Sequence, residues 1–419
     1  MEIINKIINN NKNILVSGEL ASGKTANVLF PVVDEIINNK ENIFINDPKE
    51  EYINCYYNKL KENGYSVHVI NLRDLTKSES WNPFLYPYKL YKSGNKDLAQ
   101  DLIDKITKKV FYDEESRDPF WSDSASDFAT GCILGLFDDA KEEEINFNSL
   151  AKLIEGVGTI GTYIFSPTKK YFDIKGDCPA SLCVANTINA PTDTKSSIMS
   201  VVNLKIRSYI SRERLAKLLS RSSFNFEELL NKPTAYILVG KDENKALNDI
   251  LAMFIEQLFT FLVSNKSNNK FNYILDNIDI INNINGLSDM MASGLPRGIK
   301  FYLGTRDVEL LLNTYGNYIK NLVDQVYLKA NTIETTINGE EIVESKESVA
   351  IKYTEDITDL PVLDESEVKV FDLNDFLSAY PLPSYDKSNN INIDDLIKKI
   401  DDKIAEIDKA QEDINKNEE

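Results

Sequence analysis

The residues in this chain best suited to chemistry lie near its start, where Gly18 is followed by Glu19-Leu20-Ala21-Ser22 and then Gly23-Lys24-Thr25. Glycines at this spacing let backbone N–H groups converge at the start of a helix, a lysine supplies a point charge for the β and γ phosphates, and a hydroxyl suits magnesium. Gly18, Glu19, Leu20, Ala21, Ser22, Gly23, Lys24 and Thr25 are therefore the candidate nucleotide-binding residues, with ATP and Mg2+ as the expected ligands. Such a site also needs an acid at the end of a neighbouring apolar strand to hold the metal with the hydroxyl. Asp276, closing "NYILD", has that position, so Thr25 and Asp276 are the candidate metal residues and Lys24 and Asp276 the leading catalytic candidates. A carboxylate that orients the attacking water commonly comes next, but here the next residue is Asn277. Asp279 is an alternative only if the chain bends after Asp276; otherwise it is an ordinary loop carboxylate. Asp47 follows another apolar strand, where ligands gather beyond the carboxyl ends of parallel strands, and is also placed to cap the next helix; the two roles are compatible.

These residues need a scaffold, and the hydrophobic pattern supplies one. "NILV" (13–16) reads as a buried strand, "KTANVLFPVVDEIINN" as a helix, "NIFIND" as a second strand, "PKEEYINCYYNKLKENG" as a helix stopped by Gly64, and "YSVHVINL" as a third strand. From about 92 to 225 helical segments follow one another. Strand character returns with "TAYILVG", "FNYILD" and "IKFYLGT". Alternation of this kind predicts an α/β fold with a parallel-rich sheet, here a P-loop NTPase interrupted by an all-helical domain. Asn338-Gly339 in "TIETTINGEEIVES" predicts a hairpin turn. The expected division is 1–91 and 226–380 for the nucleotide-binding domain, 92–225 for the helical insertion, and 381–419 for a linker and acidic helical tail.

Charge and composition narrow the rest. Lys plus Arg total 47 against 66 Asp plus Glu, a net charge of −19, which excludes a generally DNA-coating surface. One stretch opposes that average: Arg207, Arg214, Lys217 and Arg221 would share a stripe on a continuous helix, either a solvated face or a contact for DNA phosphates or an acidic cargo. The four cysteines lack a metal-ligand spacing, and the only histidine, His68, sits in an apolar strand pattern. No apolar run reaches the roughly 20 residues of a bilayer span, and the N-terminus lacks a signal-peptide layout, so a cytoplasmic protein is expected.

Taken in order, "GELASGKT", "INDPKEE", "WNPF", "FWSDSASDFATG", "ILDNIDIINNI", "GLPRGIKFYL" and "DVELLLNTYG" resemble the motifs of the type IV secretion coupling proteins, the conjugative DNA-transfer ATPases of the TraG and TraD kind. The resemblance covers roughly residues 13 to 330. It implies a RecA-like motor domain interrupted by an all-helical domain and a homo-oligomeric ring, expected as a hexamer. The implied cargo is a relaxase or other protein, with single-stranded DNA a further partner. It also places Arg297, in "LPRG", where an arginine could approach a neighbouring subunit's nucleotide. The chain departs from the family pattern at Asn277, where glutamate is usual, at Arg306, where glutamine is usual, and in having only residues 1–12 before its first strand, where membrane segments are usual. These departures imply weak turnover and a position at the inner face of the membrane only through a separate anchor partner. The leading expectation is an ATP-binding coupling protein that recruits or moves DNA or relaxase cargo to a conjugative channel. The alternatives are a nucleotide-gated cargo receptor with little hydrolysis and a DNA-packaging or partition motor of related fold.

Overall fold

In the computed structural model the described residues are 2–18, 21–111, 118–156, 166–243, 247–265, 269–281, 283–337, 340–346, 351, 353, 357 and 359–380. Residues Met1–Leu373 form one compact unit and Asn374–Glu419 a second. The expected tail, 381–419, and the turn residues Asn338 and Gly339 lie outside the described residues.

Among the described residues nine strands form one sheet: β1 (Asn13–Gly18), β2 (Asn42–Asn46), β3 (Ser66–Asn71), β4 (Thr234–Val239), β5 (Phe271–Leu275), β6 (Ile299–Gly304), β7 (Val323–Leu328), β8 (Thr332–Ile337) and β9 (Glu340–Ser345). Their spatial order is β3-β4-β2-β5-β6-β1-β7-β8-β9. Strands β1 to β7 pair in parallel and β7-β8-β9 antiparallel, with Ile337 opposite Glu340 at the hairpin end. Sequence and position agree. Strands β2, β4, β5 and β6 are continuous apolar-rich runs buried at every residue, because helices cover both faces of a parallel sheet. Strands β7 and β8 alternate buried and exposed residues, as strands with one wet face do. Parallel strands bring all their carboxyl ends to one edge, so Gly18, Asn46, Leu275 and Gly304 end side by side.

Among the described residues the helices are α1 (Glu2–Asn9), α2 (Phe30–Asn38), α3 (Glu51–Glu62), α4 (Leu85–Lys92), α5 (Lys96–Phe111), α6 (Phe120–Asp139), α7 (Phe147–Glu155), α8 (Pro167–Lys175), α9 (Pro179–Ile188), α10 (Thr192–Ile210), α11 (Glu213–Leu218), α12 (Asp249–Ser264), α13 (Leu287–Gly294), α14 (Val308–Tyr315), α15 (Ile319–Leu322) and α16 (Leu373–Ser378). The helical run between β3 and β4 thus spans α4 to α11. The "WNPF" motif is its joint. Trp81 N–H donates to Leu218 O at 2.9 Å, Asn82 Nδ2 donates to Ser220 O at 3.2 Å, and Gln257 Nε2 of α12 donates to Pro83 O at 2.7 Å. The small residues of α6 serve packing: a Cβ at Gly131 would meet Ala180 O of α9 at 2.6 Å. A buried ion pair, Lys109–Glu256 at 3.2 Å, ties α5 to α12, and Glu256 Oε1 also accepts the Asn285 N–H. His68 stacks on Phe224 and Tyr236 inside this packing.

The basic stripe expected on one continuous helix does not exist as such. The chain turns at Ser211–Arg212, where Arg212 is extended, so Arg207 belongs to α10 and Arg214 and Lys217 to α11. Three of the four cations are taken up by an acidic strap: Arg214 and Lys217 pair with Glu365 at 3.0 and 2.8 Å, and Arg221 pairs with Asp364 and donates to the carbonyls of Ser366 and Glu367.

Candidate functional site

The loop after β1 is shaped by its glycines. Gly18 has φ +152°, and a Cβ there would lie 2.4 Å from Leu328 O; Gly23 has φ +76°, and a Cβ would lie 2.4 Å from Asn27 Nδ2. Ala21, a non-glycine residue at φ +59°, holds a conformation that costs on the order of 1–3 kcal/mol and persists where surroundings enforce it. The following helix opens with a π-type turn, Phe30 N–H to Thr25 O. Lys24 Nζ donates back to Gly18 O at 3.2 Å, and burial lowers its pKa against the opposing pull of Asp276. The Ser22 hydroxyl is buried with no partner among the described residues. Glu19 and Leu20 lie outside the described residues.

Asp276, just past β5, meets this loop. Its Oδ2 accepts the Thr25 hydroxyl at 2.7 Å and the Tyr52 hydroxyl at 3.1 Å, its Oδ1 accepts the Asn277 N–H at 2.9 Å, and its carbonyl accepts Asn46 Nδ2 at 2.6 Å. Burial raises its pKa while these donors oppose the rise. Only glycine fits beside it: a Cβ on Gly304 would stand 2.7 Å from Asp276 Oδ1. Asp47 is also fully buried. Its Oδ2 accepts the Ile53 N–H at 2.8 Å, so it does bind the first turn of α3, although Glu50 holds the N-cap position; its Oδ1 has no partner among the described residues. Burial pushes Asp47 up to about 7.

The chain does bend after Asp276. Asn277 is left-handed (φ 49°, ψ 53°), a conformation that Asn tolerates, and this swings Asp279 toward β6. Both Asp279 oxygens are engaged there, Oδ1 by the Thr305 hydroxyl at 2.7 Å and Oδ2 by the Arg306 N–H at 2.8 Å. Asp279 is thus half-buried and hydrogen-bonded to the turn after β6, not an exposed loop carboxylate. Arg297 is elsewhere: it precedes the amino end of β6, at the sheet edge opposite Asp276, and donates to Ser293 O. Within one chain it does not join the site.

Sequence reasoning missed Tyr52, Asn46, Lys49, Gly304 and Lys346. Lys49 acts electrostatically on both Lys24 and Asp276, and Lys346 Nζ, from just beyond β9, donates to Ser22 O at 2.7 Å. Lys49 and Tyr52 sit inside or beside the "INDPKEE" motif and were findable there; Lys346 carried no local signal.

The family described as "Type IV secretory system Conjugative DNA transfer" matches residues 5–331. The chain belongs to this family. No curated protein matches it in sequence. Among solved structures, the plasmid coupling protein TrwB in complex with ADP and Mg2+ is similar at TM-score 0.56 and 13% identity, over 80% of this chain and 78% of that one. TrwB with the non-hydrolysable ATP analogue ADPNP gives TM-score 0.55 and 14% identity over the same shares. The fold of this conjugative DNA-transfer family member is accordingly that of TrwB, a RecA-like P-loop fold. No helix among the described residues is long and apolar enough to cross a membrane.

Proposed function

We propose that the protein is an ATP-binding coupling protein that recruits or translocates DNA or relaxase cargo to a conjugative channel, working as a homo-oligomeric ring. The observation that carries this reading is the 2.7 Å contact between Thr25 and Asp276, which joins the phosphate loop to the acidic strand end across 251 residues of sequence. A hydroxyl and a carboxylate are hard oxygen donors, so the pair suits Mg2+, and Thr25 and Asp276 would hold it. Residues 18–25 would cradle the phosphates, with Lys24 turning from Gly18 O to their charge. TrwB binds ADP with Mg2+ and ADPNP on the same fold, which supports the choice of ligand.

A second reading, a nucleotide-gated cargo receptor with little hydrolysis, is favoured by one observation. Position 277 is an amide whose oxygen accepts from Arg306, and the carboxylate of Asp279 accepts a hydrogen bond on each oxygen. Calorimetry with Mg-ATP on wild type and Lys24→Ala tests the common part: binding by wild type is expected, with at least a tenfold loss in the variant, about 1.4 kcal/mol. Equal affinity in a folded Lys24→Ala protein would sink the nucleotide reading. Phosphate release with and without single-stranded DNA then separates motor from receptor.

A further inference from the structure

We infer that Arg306 contacts the terminal phosphate of a bound nucleoside triphosphate in the same chain, and that Asn277 positions its guanidinium for that contact. This rests on the reading of residues 18–25 as the phosphate loop. Strand β6 lies between β5, which delivers Asp276, and β1, which delivers the loop, so the residues just past its carboxyl end stand between the two. The turn there is held on both sides. Thr305 N–H donates to Val16 O at 3.0 Å, and the Thr305 hydroxyl and Arg306 N–H bind Asp279 at 2.7 and 2.8 Å.

From this fixed backbone the Arg306 side chain reaches Asn277, its Nε donating to Asn277 Oδ1 at 3.3 Å. That bond orients the guanidinium while leaving Nη1 and Nη2 with no hydrogen-bond partner among the described residues, on a side chain that is exposed at the site. Lys24 stands at the same edge, its Nζ on Gly18 O at 3.2 Å, and Gly304, two residues before Arg306, pairs with Val16 of the strand that carries the loop. Two cations held near each other at the mouth of a phosphate loop are relieved by an anion between them, and a guanidinium gives charge-assisted, paired hydrogen bonds to phosphate oxygens. An amide at position 277 can hold the arginine without cancelling its charge. A glutamate would form an ion pair with it, and would also carry the cost of a left-handed backbone less well than Asn. The two departures from the family pattern, Asn277 and Arg306, are then one adjustment: a neutral holder and a cation in place of a carboxylate and an amide.

The contact distinguishes triphosphate from diphosphate, because only the terminal phosphate extends to Arg306. The test is the affinity of ADPNP and of ADP, each with Mg2+, measured by calorimetry on wild type, Arg306→Gln, Asn277→Gly and the double variant. Glycine keeps the left-handed backbone at 277 while removing the amide. Arg306→Gln is expected to lower ADPNP affinity about ten- to a hundredfold, the range for a hydrogen bond to a charged group, and to leave ADP affinity unchanged. Asn277→Gly should lose a smaller part of the same preference, and the double variant should be no worse than Arg306→Gln alone, since Asn277 acts through the arginine. An unchanged ADPNP-to-ADP ratio in Arg306→Gln, with ADP still bound, overturns the inference and leaves the nucleotide reading standing. Fully additive losses overturn the positioning role of Asn277. A wild type that binds neither nucleotide removes both the loop reading and the inference.

Discussion

Replacing Asp47 with Asn should stabilise the protein, and by more as pH rises. The Asp47 side chain is fully buried, one oxygen accepts the Ile53 N–H at 2.8 Å, the other has no partner among the described residues, and Glu51 and Asp276 add like charge nearby. Burial therefore favours the protonated form and lifts the carboxyl from its ordinary 3.8 to about 7. A carboxyl whose folded value is raised contributes stability that is fully present below its unfolded value and is lost as pH climbs through the folded one. The loss here runs from about pH 4 to about pH 7. At roughly 1.36 kcal/mol per pH unit, wild type should have lost about 2 kcal/mol by pH 5.5 and about 4 kcal/mol above pH 7. Asn cannot ionise, is the same size, and can keep the Ile53 bond with its own oxygen, so it escapes this loss. For a unit spanning Met1–Leu373, an unfolding entropy of about 2.1 cal/mol/K per residue converts these figures to a melting-temperature gap of about 3 °C at pH 5.5 and about 5 °C at pH 8. Differential scanning calorimetry without nucleotide, at steps between those pH values, measures the gap; neighbouring carboxylates titrate in both proteins and largely cancel. A gap that stays constant with pH, or an Asn variant that melts below wild type at pH 8, would refute the reasoning.

Lys109→Met should cost about 3–5 kcal/mol, because it leaves Glu256 buried without its cation, both side chains being 6% exposed in wild type; thermal melting checks it, and a loss under 1 kcal/mol would show that water reaches the pair. Gly304→Ala should weaken Mg-nucleotide binding and cost about 1–3 kcal/mol of stability, since its Cβ would stand 2.7 Å from Asp276 Oδ1 and 3.3 Å from Leu29 Cδ1; unchanged calorimetric affinity would mean that Asp276 can give way freely. Glu365→Ala removes partners from Arg214 and Lys217, yet these pairs lie at the surface, so the denaturant midpoint is expected to stay essentially unchanged and a clear drop would mark the strap as a structural clasp.

The sequence by itself determined the parts whose chemistry is local. The glycine spacing before Lys24-Thr25, the apolar run ending in Asp276 and the alternation of strands and helices are each set by backbone conformation and side-chain period over a few residues. The first six strands and the succession of helices between β3 and β4 could therefore be read without coordinates, whereas β7, which links β1 to the hairpin, was not. Tertiary structure decided whatever depends on which strand lies beside which. The sequence does not state that β6 stands between β5 and β1, and that order alone brings Arg306 to Asn277 and Gly304 to Asp276. The basic stripe failed for the same reason. Its spacing assumed one straight helix in water, whereas the chain turns at Arg212 and an acidic segment some 150 positions away neutralises Arg214, Lys217 and Arg221. Charges act through space, and their partners follow from packing rather than from position along the chain.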